Sequence, residues 1–463
     1  MDAILRLVEI LNQYLWNSLL LVALVGTGVY FTIRLGFVQV RKLGQGLKFT
    51  LGGLTLRGEK ADHQGMSSFQ ALATAVAGQV GTGTIAGAAT AIVSGGPGAV
   101  FWMWASAFFG MATNYAEAVL AQKYRTTDEN GKAVGGPAYY IRAAFPNRFG
   151  KVLAGFFSAA LILALGFMGN MVQSNSISDA MYNAFGVPKI VVGVAVALVA
   201  GFIFLGGVQR IVSVTEKLVP VMALLYIGGS LIVLACNWRS LPGVSASIFV
   251  AAFDPAAVLG GAAGITVQKA MRFGVARGLF ANEAGMGSTP HAHALAKVEK
   301  PQDQGITAMI GVFLTTFVIL TLTALVILST GAAASGLTGA ALSQYAFATV
   351  FGKAGNVFIA LCMLFFAFST IVGWYLFGQM NVKVLLGERA VKPYALLVVM
   401  FIAVGACLKV QLVWDAADLF NGLMVLPNLL ALLALSKLVV NLERACRADE
   451  ETTGKPAASA CGE

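Results

Sequence analysis

The sequence predicts an all-α polytopic membrane protein, and three observations carry that reading. Of 463 residues, 58% are hydrophobic and 11% charged, too apolar a mixture to clothe a water-facing surface. Eleven apolar stretches recur along the chain, mostly near the roughly 20 residues that a helix needs to cross a hydrocarbon core of about 30 Å. The connections between them share out the basic residues unequally, as the two sides of a membrane do.

The first six stretches fall at roughly 15–33, 66–93, 97–121, 152–182, 188–206 and 214–235. The second half continues at roughly 256–272, 305–331, 353–386, 392–409 and 413–440. The first reads as an anchor and not a cleaved signal peptide, because Asp2 and Glu9 precede it and Arg34, Arg41 and Lys42 follow it. Alternate connections, together with the carboxyl end from Lys437, hold 26 of the 31 lysines and arginines, which predicts the amino terminus outside and the carboxyl terminus in the cytoplasm. Setting the first span aside leaves five per half, an odd number, so two homologous halves would lie in opposite orientations. The expected organisation is an amino-terminal span and cytoplasmic loop (1–65), two five-helix units (66–240 and 241–440) and a disordered cytoplasmic tail (441–463), whose polar, small-residue composition has nothing to bury.

Other function classes lose their support early. The net charge of +10 is accounted for by topology and anionic lipid, so nucleic acid is not an expected partner. Five scattered cysteines and three histidines offer no metal-ligand spacing or disulfide framework. No Walker A sequence indicates ATP, and no nucleophile elbow or paired acid–base motif indicates an enzyme.

The most unusual stretch is AGQVGTGTIAG at 77–87, inside the second span, where four glycines stand beside Gln79, Thr82 and Thr84. Unpaired backbone in hydrocarbon costs several kcal/mol per group, so unwound chain survives there only when buried in protein or lining a watery cavity. Freed N–H groups then attract a carboxylate and freed carbonyls a small cation. Close packing through the small pair Gly83 and Gly87 accounts for the same glycines equally well. A second glycine-interrupted span, AAVLGGAAGITVQKAMR, places Gly260, Gly261 and Gly264 ahead of Thr266, and paired broken helices in inverted halves point to a transporter's binding site. Ser369 and Thr370 offer hydroxyls suited to sodium, or simply bond back to their own helix. Asn170 and Gln173 need partners at membrane depth, either a substrate amine or a neighbouring helix. In ARGLFANEAGMGS, read as a cytoplasmic loop, Arg277, Asn282 and Glu283 suggest either an inner gate or a solvated face.

Several blocks together resemble the alanine or glycine:cation symporters, also called the sodium:alanine symporter family. They are the run from Gly81 to Arg125, GGPAYYI at Gly135, GNMVQSNS at Gly169, GVARGLFANEAGMGSTPHAHALAK at Gly274, FSTIVGWYLFG at Phe368 and NGLMVLPNLLAL at Asn421. The resemblance covers about Gln64 to Leu432. It implies a leucine-transporter-like bundle of two inverted five-helix repeats plus one extra amino-terminal helix, eleven transmembrane helices in all. It also implies symport of a small neutral amino acid, alanine or glycine, with co-transported sodium, across the plasma membrane (the bacterial inner membrane). By the same resemblance, backbone at Thr82 and Gly83 would hold the substrate carboxylate. Gln79, Gln173 and the broken seventh span would face the amine, and Trp374 would wall the pocket. Carbonyls of Ala77 and Val80 with the hydroxyls of Ser369 and Thr370 would hold sodium. The family's usual GTGN reads GTGT here, so Thr84 stands where an Asn would reach a second cation, which leaves the ion stoichiometry open. A proton-coupled carrier of another small neutral amino acid, and a channel, are the alternatives.

Overall fold

The computed structural model describes residues 2–52, 65–129, 131–259, 265–408 and 410–453. Helices make up nearly all of it; the described residues add one short antiparallel hairpin, Thr126–Thr127 with Ala133–Val134, and an isolated parallel bridge between Met66 and Ala296. Among the described residues, five helices are long and apolar enough to cross a membrane: Arg148–Phe185, Gly207–Cys236, Pro301–Ser329, Lys353–Leu386 and Val413–Ala434. Ser68–Gln79 and Gly83–Gly95 pass the same test as a pair bent by 49°.

Local signals explain where these elements begin and end. Ser67 and Gln70 cap the first bent helix reciprocally, side chain to backbone in both directions. Gly96 at φ +70° makes the turn before Gly98–Lys123, and Gly186 in the left-handed region ends Asn170–Phe185. Polarity is turned inside out relative to a soluble fold. Leu198, Phe202, Leu205, Leu224 and Leu396 are exposed, whereas Gln79, Asn114, Glu117, Asn170 and Gln173 are fully enclosed, as expected where the solvent is lipid.

Lys353–Leu386 occupies the middle of the bundle and packs against Asn170–Phe185 and the first bent helix. Glycines permit this closeness. A Cβ on Gly169 would lie 2.4 Å from the Trp374 ring, and one on Gly81 would lie 2.4 Å from Thr370 Oγ1.

Two expectations are corrected here. The seventh span is not 256–272. A short helix, Pro255–Leu259, precedes undescribed residues, then Val267–Asn282 runs to a turn at 283–289 and resumes as Pro290–Ala294. Met66, at the start of the first broken helix, pairs with Leu295 and Lys297, whereas Gly95 at its far end meets Ala270 and Lys269. The second broken helix therefore runs antiparallel to the first, and Lys269, Arg272 and Arg277 precede its break instead of following it in a loop. Their charges lowered the local hydropathy and hid the span. Second, the tail from 441 is not disordered as far as it is described. Ser436–Thr453 is helical, and its buried Glu443 accepts hydrogen bonds from Tyr115 and Arg41.

Candidate functional site

The first broken helix opens where its glycines cluster. Val80 leaves helical geometry at φ −90°, ψ 74°, and the chain resumes as a π-helical turn over Gly83–Gly87. Such turns free backbone groups and recur at functional sites. Gly83 also packs tightly, since a Cβ there would lie 2.9 Å from Phe280, so opening and close packing coexist in one segment.

Side chains from two other helices, and a backbone carbonyl from the second broken helix, converge on this opening. Thr82 N–H donates to Gln173 Oε1 at 3.0 Å, leaving the Gln173 amide nitrogen and the Thr82 hydroxyl without partners. Thr370 Oγ1 donates to the Ala77 carbonyl at 2.7 Å and to Phe366 O at 3.1 Å. Gln79 Nε2 reaches across to the carbonyl of Asn282 at 2.7 Å, joining the two broken helices, while its own carbonyl oxygen is unpartnered.

The remaining sequence candidates are more dispersed. Thr84 bonds locally, donating to Gly81 O at 2.8 Å. Asn170 donates to Gly166 O of its own helix at 3.1 Å, with Oδ1 unpartnered. Ser369 donates to Phe366 O at 2.8 Å and faces Met222 sulfur, turned from the Ala77 carbonyl that Thr370 reaches. Gly260, Gly261 and Gly264 lie outside the described residues. Thr266 is an exposed helix cap accepting from Lys269 N–H, at the Gly95 end of the bundle and apart from the convergence.

The second break was missed in the sequence. Glu283 (φ +56°), Gly285 (φ +82°) and Gly287 (φ +78°) turn the chain, and Asn282 and Glu283 are fully buried, not on a loop surface. Glu117 of Gly98–Lys123 accepts hydrogen bonds from the backbone N–H groups of Gly285 (3.1 Å) and Gly287 (2.9 Å) and from Asn428 Nδ2 (2.6 Å). Glu283 accepts from the Trp374 indole and the Ser288 hydroxyl. The readable signal was an acid beside Gly-x-Gly in a block flanked by apolar residues.

Arg277 is likewise not at the Met66 end. It forms a bidentate pair with Asp418, at 3.0 and 2.8 Å, and lies over the Trp414 ring. Phe280 packs between Trp414 and Trp374, so an ionic and aromatic layer covers the convergence on that side. On the opposite side a cavity of about 680 Å³, lined in part by Met66, Lys132, Tyr139, Gln379 and Lys383, reaches Leu376 on the helix that carries Trp374.

This arrangement presents amides, hydroxyls and open backbone to a small polar solute. Comparisons agree. The chain is 41% identical over 443 residues to the sodium/alanine symporter AgcS of Methanococcus maripaludis, covering 95% of this chain and 96% of that one. It is 42% identical over 436 residues to the "Probable sodium/glutamine symporter GlnT" of Bacillus subtilis, covering 94% and 89%. Its fold matches the structure of MhsT in complex with L-phenylalanine at a TM-score of 0.57, with 13% identity, over 84% of this chain and 98% of that one, a leucine-transporter-like architecture. The protein is a multi-pass membrane transporter and not an enzyme. Residues 1–459 match the sodium:alanine symporter family, and to that family the chain belongs.

Proposed function

We propose that the protein takes up alanine or glycine together with sodium, by alternating access across the plasma membrane, with eleven spans in two inverted five-helix units (66–240 and 241–440) after one extra helix. The observation that carries this reading is the pairing at the first break. A backbone N–H at Thr82 is covered by a movable amide, and one helical turn away the Thr370 hydroxyl donates to the carbonyl of Ala77, bringing two oxygens together. The first suits a carboxylate and the second a hard cation. In this assignment the substrate carboxylate displaces Gln173 and binds Thr82 and Gly83. Sodium takes oxygens from Ala77, Val80, Thr370 and, after a rotamer change, Ser369.

Substrate size is set by Trp374, whose ring is lodged against Gly169 and Gly78 and cannot retreat. Extra methylenes gain about 0.8 kcal/mol each where a cavity receives them, whereas overpacking costs roughly 1–3 kcal/mol, so leucine is excluded. The cavity beside Met66 is the cytoplasmic exit, and the Arg277–Asp418 layer closes the outer side. With the three residues of the second broken helix moved outward, 23 of the 31 basic residues remain cytoplasmic, which keeps the amino terminus outside and the carboxyl terminus inside.

Proteoliposomes loaded with imposed gradients test this directly. Saturable uptake of radiolabelled alanine should require an inward sodium gradient and be inhibited by glycine far more than by leucine or glutamine. Uptake driven equally by protons alone would transfer the reading to a proton-coupled carrier, and unsaturable flux would make it a channel.

A further inference from the structure

The two buried carboxylates of the second break are not equivalent. Glu117 receives three N–H donors, two of them backbone, and is thereby fixed as a brace for the turn. Glu283 receives one indole N–H on one oxygen and one hydroxyl on the other, and among the described residues it forms no ion pair. A carboxylate has about four acceptor sites, so roughly half its capacity is open. Holding such a group away from water without a cation costs several kcal/mol, and Glu283, with fewer donors than Glu117, keeps acceptor capacity that a cation can fill.

What adjoins Glu283 indicates which cation. The carbonyl of Asn282, the preceding residue, accepts from Gln79 of the first break. Trp374, which donates to Glu283, stands one turn after Thr370 and lies against Gly78, and its ring covers Gly169, one turn before Gln173. Around this corner Gln79 Oε1, Gln173 Nε2 and the Thr82 hydroxyl are buried without partners. At the first break Gln173 Nε2 and the Thr82 hydroxyl can donate to an anion, Gln79 Oε1 can only accept, and there is no formal charge, whereas the second offers a formal negative charge without an ion pair among the described residues. A zwitterion spanning the two breaks meets both needs.

We propose that Glu283 is the counter-charge for the α-ammonium group of the transported amino acid, its carboxylate held in position by Trp374 and Ser288. This rests on the reading of the first break as the carboxylate site. Selectivity then acts on the ammonium group itself: an equally small carboxylate that lacks the amine is rejected.

Lactate is the probe, because it keeps alanine's carboxylate and methyl group and replaces the ammonium with a hydroxyl. Equilibrium binding to purified full-length protein in saturating sodium should show alanine preferred over lactate at least about tenfold. Glu283→Gln should weaken alanine about tenfold or more and leave lactate within about threefold, so the preference collapses; Glu283→Asp should retain it. A purely structural role would weaken both ligands together and leave their ratio intact, and that result overturns the proposal. If Glu283→Gln does not fold, the native protein decides alone: lactate within about threefold of alanine overturns the proposal, and a preference of about tenfold or more supports it. Absence of sodium-driven alanine uptake would defeat the transport reading itself, whereas normal uptake with an unchanged ratio in Glu283→Gln would defeat only the role of Glu283.

Discussion

The two broken helices solve one problem with different chemistry. The first opens through glycine and surrounds its exposed backbone with neutral amides and hydroxyls. The second opens through a turn of positive-φ residues and is braced by carboxylates. A neutral opening can exchange partners cheaply, because Gln173 leaving Thr82 uncovers no charge. The charged opening is held harder, since releasing Glu117 would strand an anion and three donors together. One half of the site is built to rearrange and the other to hold its shape.

The largest expected effect follows from that brace. Glu117→Ala leaves the N–H groups of Gly285 and Gly287 and the amide of Asn428 unpaired, at about 1–3 kcal/mol for each buried group. Uptake should fall by about a hundredfold or more and the melting temperature should drop, with Glu117→Gln milder on both. Wild-type melting in Glu117→Ala would remove the distinction between the two breaks.

Next comes the neutral opening. Gly81→Ala places a methyl group 2.4 Å from Thr370 Oγ1 and 2.9 Å from Gln173 Oε1, and overpacking of roughly 1–3 kcal/mol should cut alanine uptake about tenfold or more. Gly87→Ala, whose nearest neighbour would be 3.9 Å away, should leave uptake within about twofold. Equal damage at both positions would mean that helix propensity, and not the approach of Thr370, decides.

Smaller still is the cation contact. Thr370→Ala should raise the sodium concentration for half-maximal transport about fivefold, the equivalent of one hydrogen bond of about 1 kcal/mol. Ser369→Ala should raise it less, since that hydroxyl bonds within its own helix. The reverse ranking would show that Ser369 turns inward when sodium binds.

The outer layer gives the smallest change. Asp418→Asn should alter the Michaelis constant for alanine by less than about fivefold, because partly exposed pairs contribute only about 0–1 kcal/mol and Arg277 keeps its contact with Trp414. A larger loss would make this pair part of the binding site.

The same contrast explains what could be read from the chain alone. The first break was legible because Gly78, Gly81, Gly83 and Gly87 interrupt a stretch whose hydropathy still declares a span. The second was hidden because Lys269, Arg272, Arg277 and Glu283 lie within its span, and hydropathy registers a charge without registering its partner. Asp418 lies 141 residues from Arg277, and Trp374 lies 91 from Glu283; no local pattern announces such pairs. The terminal helix was concealed likewise: its polar composition suggested a solvated tail, but Glu443 is enclosed by Tyr115 and Arg41.

The amino-terminal helices have their polar partners at the other extreme of the chain. Asn12 bonds the carbonyl of Asp415, Trp16 that of Asp418, Tyr30 the hydroxyl of Ser436 and Arg41 the carboxylate of Glu443, across separations of 402 to 406 residues. A ribosome adding about 5–20 residues per second therefore leaves these helices waiting roughly 20–80 s for their partners. Through that interval Asn12 and Trp16 lack the carbonyls they bond in the folded bundle. This seam can therefore close only after the segment from Asp415 to Glu443 has been synthesised.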